Sequence, residues 1–315
     1  MRAAATICLA AAMMCGCRNL IPFVGYRGPV VMSGRMDQGL VVVFPGIEGR
    51  SSFNESICRG LSDAGVQYAI ELYDWTSRGG PIGPLINERA ESRNRRKARE
   101  IADHVVQYRQ AYPNRPVYLV GQSGGGAIAA WVAESLPPGQ RVDGIVMLAA
   151  SLSPDYMIDT ALAKSRQGIV SFYSPKDWFL LGMGTTMVGT MDGEHSSSAG
   201  RTGFNVPRGS SRPSVYNRLY QIPWTSSMSS AGNTGTHLSS GSELFVAEYV
   251  APFIRAPVWS EDLVTRVERG VQSTARVPTS QSQPAGSRSA AAHPPDWPLP
   301  RPSTMVSSST SSRSR

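Results

Sequence analysis

The chain is 315 residues long, 41% hydrophobic, and carries a formal net charge of +8. That length holds one large domain or two small ones, and the charge comes with no nucleic-acid motif, so no nucleic-acid partner is inferred from it. Three of the four cysteines (Cys8, Cys15, Cys17) lie near the N-terminus, which leaves Cys58 alone and excludes an internal disulfide framework or a cysteine metal site in the rest of the chain.

In chain order, the opening "MRAAATICLAAAMMCGCRNL" sets Arg2 before an apolar stretch too short to cross a bilayer comfortably, followed by small residues. This is a secretory signal pattern. Its end, "MMCGC", resembles a bacterial lipoprotein box. Cys17, preceded by Gly16, is the cysteine expected to become a lipidated N-terminus, and an ordinary signal peptide cut nearby is the alternative. The expectation is an exported cell-envelope protein, anchored to the membrane through Cys17, with residues 1–17 as leader and 18–38 as lead-in.

From there apolar runs of strand length alternate with helical stretches. "GLVVVFPG" is a β-branched strand closed by Pro45-Gly46. "ESICRGLSDAG" is a helix with Gly65 at its C-terminal end, and "VQYAIELYDW" is a strand. A long basic helix runs to about Tyr112, with Ile101, Val105 and Tyr108 at helical spacing and its Arg and Lys residues on a solvated face. "RPVYLVG" is a strand, "GGAIAAWVAESL" a helix stopped by Pro137-Pro138, and "DGIVMLAAS" a strand. "SPDYMIDTALAKS" reads as helix, "GIVSFYS" and "VYNRLYQIPW" as strands, and "SGSELFVAEYVAPFI" as the last long helix. Alternation of this kind implies βαβ units: an α/β fold with a mostly parallel central sheet and helices on both faces. The strands are apolar throughout, as expected where both faces are covered. The domain is placed at residues 39–258. Residues 259–315 read as a short helical remnant followed by a disordered Ser/Pro/Arg-rich tail, too poor in aliphatic residues to offset its ordering entropy.

Function in such a sheet gathers at the carboxyl ends of the strands. There Gly121-Gln122-Ser123-Gly124-Gly125 fits G-x-S-x-G, between a strand and a helix. That context is what a nucleophile elbow requires: a turn so tight that glycine is needed on both sides, presenting Ser123 over the N-terminus of the next helix. The overlapping Gly124–Ala129 run also fits a dinucleotide-binding G-x-G-x-x-A. Its would-be ribose acid, Asp143, precedes its strand instead of ending it, which argues against that reading. No P-loop pattern occurs.

A serine nucleophile needs a base and an acid to orient it. Of the four histidines, His104 lies inside the basic helix and His293 in the tail. His237 follows the last strand and precedes the last long helix, where the base of an elbow-type site arrives; His195, in a loop-rich segment before that strand, is the reserve. Asp177 lies just past the strand "GIVSFYS" and is the expected acid, with Asp155 in reserve and Asp74 taken as structural or pocket-lining. The order Ser123, Asp177, His237 is the one expected for this elbow.

On "PGIEGRS", "VGQSGGG", "YSPKD" and "GTHLSSGSELFVAEYVAPFI", the chain resembles an α/β-hydrolase from about Leu40 to Ile254. The resemblance implies a sheet of eight strands or slightly fewer and a serine esterase- or lipase-like site. It also implies an oxyanion hole of backbone amides on the "FPGIEGRSS" loop and the elbow. The donors are assigned to Ile47 and Gln122, with Glu48 the less favoured neighbour. Pro45 stands where the family usually has a histidine, a change that leaves backbone donors intact. The connection from Ala150 to Gly168 has room for one helix, so no large cap domain is expected. The long segment after Asp177, with Trp178-Phe179-Leu180-Leu181, is expected to wall the pocket. The function implied is hydrolysis of a carboxylic ester or related acyl bond on a small-molecule substrate, with no cofactor or metal. Acyl transfer by the same residues, and ligand binding without catalysis, are the alternatives.

Overall fold

The computed structural model describes residues 35–77, 89–177, 180–181, 185–186, 190–194, 197–207 and 213–270. The leader, Cys17 and the Ser/Pro/Arg-rich tail lie outside the described residues, as do His195, Trp178 and Phe179. Among the described residues no helix is long and apolar enough to cross a membrane.

Six strands form one parallel sheet: β1 (Leu40–Phe44), β2 (Ala69–Leu72), β3 (Val117–Gln122), β4 (Gly144–Leu148), β5 (Ile169–Tyr173) and β8 (Leu219–Pro223), in the order β2-β1-β3-β4-β5-β8. A separate antiparallel pair, β6 (Leu180–Leu181) with β7 (Thr185–Thr186), falls between β5 and β8 in the chain. β1 is buried along its whole length because helices cover both faces. Side chains alternate across a strand, and the two sets find different partners. Val41, Val43, Val120, Val146 and Phe172 join one core with α1 (Ser52–Asp63), α6 (243–255) and α7 (Glu261–Glu268). The alternate set, including Val42, Leu119 and Ile145, faces α2 (Glu91–Ala111) and α3 (Gly124–Ser135), which pack on each other. Burying each such aliphatic side chain contributes about 1.5–3 kcal/mol.

Helix ends follow local chemistry. At the start of α1 the Ser51 N–H donates to Asn54 Oδ1 at 2.6 Å, and the chain leaves α1 through Gly65, whose φ of +76° suits glycine. Cys58, on α1, is fully buried, and burial pushes its thiol up to about 12. On α2, Arg96 and Arg99 are exposed as expected of a solvated face. Arg95 instead stacks 4.5 Å from the Trp131 ring centroid and pairs with Glu91 and Glu134. α6 contains a π turn at Val246–Val250, just ahead of Pro252. Proline has no N–H for the Glu248 carbonyl and its ring crowds that carbonyl, so the helix widens there.

Two elements are shorter than the sequence pattern implies. The helix expected over Ser153–Ser165 is reduced to α4 (Asp159–Ala163). Tyr156 leaves the helical path because its hydroxyl donates to Glu134 and accepts from Trp131 Nε1 at 3.0 Å. The last strand begins only at Leu219, since Pro213–Arg218 winds as a 3-10 turn. As an edge strand it alternates buried and half-buried residues instead of being buried throughout. Between β4 and β5 there is α4 and no cap domain. Asp143 sits at the start of β4, held by Arg109 at 2.8 Å and by the Val117 amide, at the opposite end of the sheet from the elbow.

Candidate active site

β3 ends at Gln122, and the chain turns at Ser123 into α3 with φ 55° and ψ −123°. Such a conformation in a non-glycine residue costs about 1–3 kcal/mol and persists only where the surroundings enforce it. They do so here by close approach of backbone. A Cβ on Gly121 would lie 2.2 Å from Gly125 O, and one on Gly125 would lie 2.3 Å from Phe44 O. Ser123 is also pinned by its own peptide: its N–H donates to Leu148 O at 2.9 Å, and its carbonyl accepts from Gly126 and Ser151. The hydroxyl-bearing residue is 3% exposed.

Asp177 and His237 meet beyond the ends of β5 and β8. His237 Nδ1 and Asp177 Oδ1 are 2.7 Å apart, and both residues are buried. Asp177 Oδ2 is buried and makes no hydrogen bond among the described residues. The His237 carbonyl accepts from Ser240 Oγ at 3.0 Å and from Gln122 Nε2 at 3.5 Å. Asp155 and His104, also weighed in the sequence, lie elsewhere. Asp155 is exposed and accepts from Asn205 at 2.7 Å. His104 lies 2.9 Å from Glu71, pairing α2 with β2.

The loop after β1 lies against the elbow. The buried Ile47 approaches Gly124 so closely that a Cβ there would sit 2.8 Å from Ile47 Cγ2, with Met191 and Trp75 completing the contact. Met191 thus brings one described piece of the long connection after Asp177 onto the elbow. The Trp75 indole N–H donates to Pro45 O at 2.8 Å. Asp74 ties the same loop to the end of β2: it accepts the Arg50 amide at 3.4 Å and both the amide and hydroxyl of Thr76. Glu48 folds back over Gly46 and accepts from Asn54 Nδ2 at 3.0 Å. Burial pushes its carboxyl up, opposed by its own amide, by Asn54 and by the neighbouring His237.

The backbone amide of Gln122 is placed differently from the expectation. Gln122 is the last ladder residue of β3, and the Ser123 N–H bonds to β4. Alternation along a parallel strand turns the Gln122 N–H to the other edge, toward β1, so it belongs to the sheet and does not face a ligand. The amides that a helix start leaves without an intrahelical partner begin with that of Gly124, at the start of α3. Gln122 contributes instead through its side chain, which reaches the loop of His237. Position in a motif does not reveal this; it follows only from the register of β3 against its neighbours. Among the described residues no group of three or more His, Cys, Asp or Glu side chains converges as a metal site.

A family model described as "alpha/beta hydrolase fold" matches residues 39–174. Among solved structures, a predicted CIB-like hydrolase from Thermoplasma acidophilum is similar at 14% identity and TM-score 0.39, over 70% of this chain and 87% of that one. A dienelactone hydrolase-like promiscuous phosphotriesterase from metagenomic libraries is similar at 16% identity and TM-score 0.40, over 73% and 87%. The esterase domain of a Rhodothermus marinus protein is similar at 16% identity and TM-score 0.37, over 72% and 89%. No curated protein matches the sequence. With its six-stranded parallel sheet, the strand–turn–helix at Ser123 and the matched family model, the chain has the α/β-hydrolase fold.

Proposed function

We propose that the protein is a serine hydrolase that cleaves a carboxylic ester or related acyl bond through an acyl-enzyme. The observation that carries this reading is the 2.7 Å contact of His237 Nδ1 with Asp177, made beyond the same strand ends as the strained turn that presents Ser123. Asp177 fixes the imidazole with Nδ1 protonated, which leaves Nε2 to act as base. Ser123 Oγ attacks the acyl carbon as His237 takes its proton. The tetrahedral oxyanion is held by the amides of Gly124 and Ile47, aided by the N-terminus of α3. Collapse expels the alcohol, which takes the proton from His237. Water, deprotonated by the same imidazole, then releases the acid and restores Ser123.

A fluorophosphonate probe tests this. Folded protein is expected to label at Ser123 and to hydrolyse p-nitrophenyl esters, and Ser123→Ala is expected to do neither. Folded protein that takes no label at Ser123 ends the reading. The export reading belongs to the same proposal: the catalytic domain spans 39–258, and the mature chain starts at a lipidated Cys17. Mass spectrometry of the mature N-terminus decides that part, and an unlipidated start at another residue ends it.

A further inference from the structure

Asp177 and His237 stand on two irregular loops that share no ladder. What holds one to the other is a circuit of contacts with Trp224 at its centre. Trp224 follows β8, and its main-chain N–H donates to Tyr173 O at the end of β5 at 2.7 Å. Its indole N–H donates to Asn233 O, also at 2.7 Å. Asn233 Oδ1 in turn accepts from the Gly235 amide and from Ser239 Oγ, both at 3.0 Å, and so shapes the turn that delivers His237. Gly235 has φ +88°, and a Cβ there would lie 2.9 Å from Ser174 Oγ and 3.0 Å from the indole. Lys176 Nζ lies 3.8 Å from the Trp224 ring centroid. Lys176 immediately precedes Asp177, and its amide donates to Ser174 Oγ at 3.2 Å. Asp177, Trp224, Asn233 and Thr236 line a common small pocket.

We infer that Trp224 and Lys176 are positioning residues for the Asp177–His237 couple, the indole bracing the His237 loop and the stacked ammonium holding the Asp177 loop to it. Neither touches the reacting atoms. The inference rests on the hydrolase reading for its kinetic consequence and on the geometry alone for its structural one. Lys176 is exposed and stacks on one face of the ring, so its removal leaves the core untouched.

The test uses Lys176→Met, Lys176→Arg and Trp224→Phe in the full chain. The first readout is the ring 15N shifts of His237, assigned by their loss in His237→Asn so that His104 is not mistaken for it. The second is kcat and KM on p-nitrophenyl acetate. Wild type is expected to hold the Nδ1–H tautomer, since the hydrogen bond made at one ring nitrogen fixes the proton. In Lys176→Met and Trp224→Phe that tautomer is expected to lose population and kcat to fall about five- to fifty-fold, with KM within about twofold, as for a misplaced catalytic group. Lys176→Arg, which keeps a cation on the ring, is expected to restore both readouts. Unchanged tautomer in folded Lys176→Met and Trp224→Phe overturns the inference, whether or not kcat falls. If Trp224→Phe does not fold, Lys176→Met decides. If wild type proves inactive, the hydrolase reading fails and the nitrogen shifts alone decide the bracing role.

Discussion

Ser123 and the Asp177–His237 pair, the proposed nucleophile and acid–base couple, are held in opposite ways. Ser123 sits between β3 and α3, in the half of the molecule built of regular elements, and its strained turn is enforced by backbone packed on backbone at Gly121, Gly125 and Phe44. Asp177 and His237 sit after β5, where short 3-10 turns follow β8 among the described residues and side chains (Trp224, Asn233, Lys176) do the joining. Backbone contact tolerates no added atom, so the first region fails as a unit. Side-chain contact can be removed one group at a time, so the second loses alignment before it loses its fold.

The largest effect that distinguishes the two is expected at Gly125. Gly125→Ala places a methyl 2.3 Å from Phe44 O, a clash between backbones that cannot turn aside, and is expected to cost at least about 4 kcal/mol. Thermal unfolding would show the loss directly, and a melting temperature near that of wild type would contradict the account of the elbow. Asp177→Asn should behave in the contrary way. Turnover of p-nitrophenyl acetate is expected to fall about 10³- to 10⁴-fold, because the asparagine favours the wrong imidazole tautomer, while the melting temperature stays within a few degrees.

A third effect is one of pH, and it belongs to the regular half. Burial pushes the Glu134 carboxyl up to about 7, against the pull of Tyr156 and Arg95. The folded state therefore binds this proton more tightly than the unfolded state. The stability it contributes is fully present below about pH 4.5 and is lost as pH rises through about 7, at no more than about 1.4 kcal/mol per pH unit. Glu134→Gln is expected to remove that slope from a series of melts between pH 4.5 and 7; an unchanged slope would assign it to other groups. The smallest effect is expected at Arg59. Its pair with Glu243 at 2.7 Å is exposed on both sides, and Arg59→Ala is expected to change stability by less than about 1 kcal/mol, which sets the floor against which the other melts are read.

The contrast also explains what the sequence discloses. The strands of the regular half are written as β-branched runs between glycine and proline, and the elbow glycines mark where backbone meets backbone, so the element order and the turn at Ser123 are readable from neighbouring residues. Asp177 and His237 are readable as residues placed just past two strands. Their support is not: Lys176 and Trp224 are far apart in sequence, and nothing local in "SPKDWF" or "QIPWTSS" says that one stacks on the other. The truncation of the helix at α4 is hidden for the same reason, since Tyr156 is drawn away by Glu134 on another helix. The direction of the Gln122 N–H is hidden as well, because a ladder partner, not the motif, decides which way an N–H points.

Cys58 is the one cysteine after residue 17, and it lies on the buried face of α1 with its thiol far from ionising at neutral pH. A thiol reagent can reach it only when α1 lifts from the sheet. At reagent concentrations high enough for reaction to outpace reclosing, its rate of modification in native buffer is therefore a clock for that opening. The same helix begins at Ser52, right after the loop that carries Ile47 and Glu48, so the clock would time the loosening of that loop without any label being attached near it.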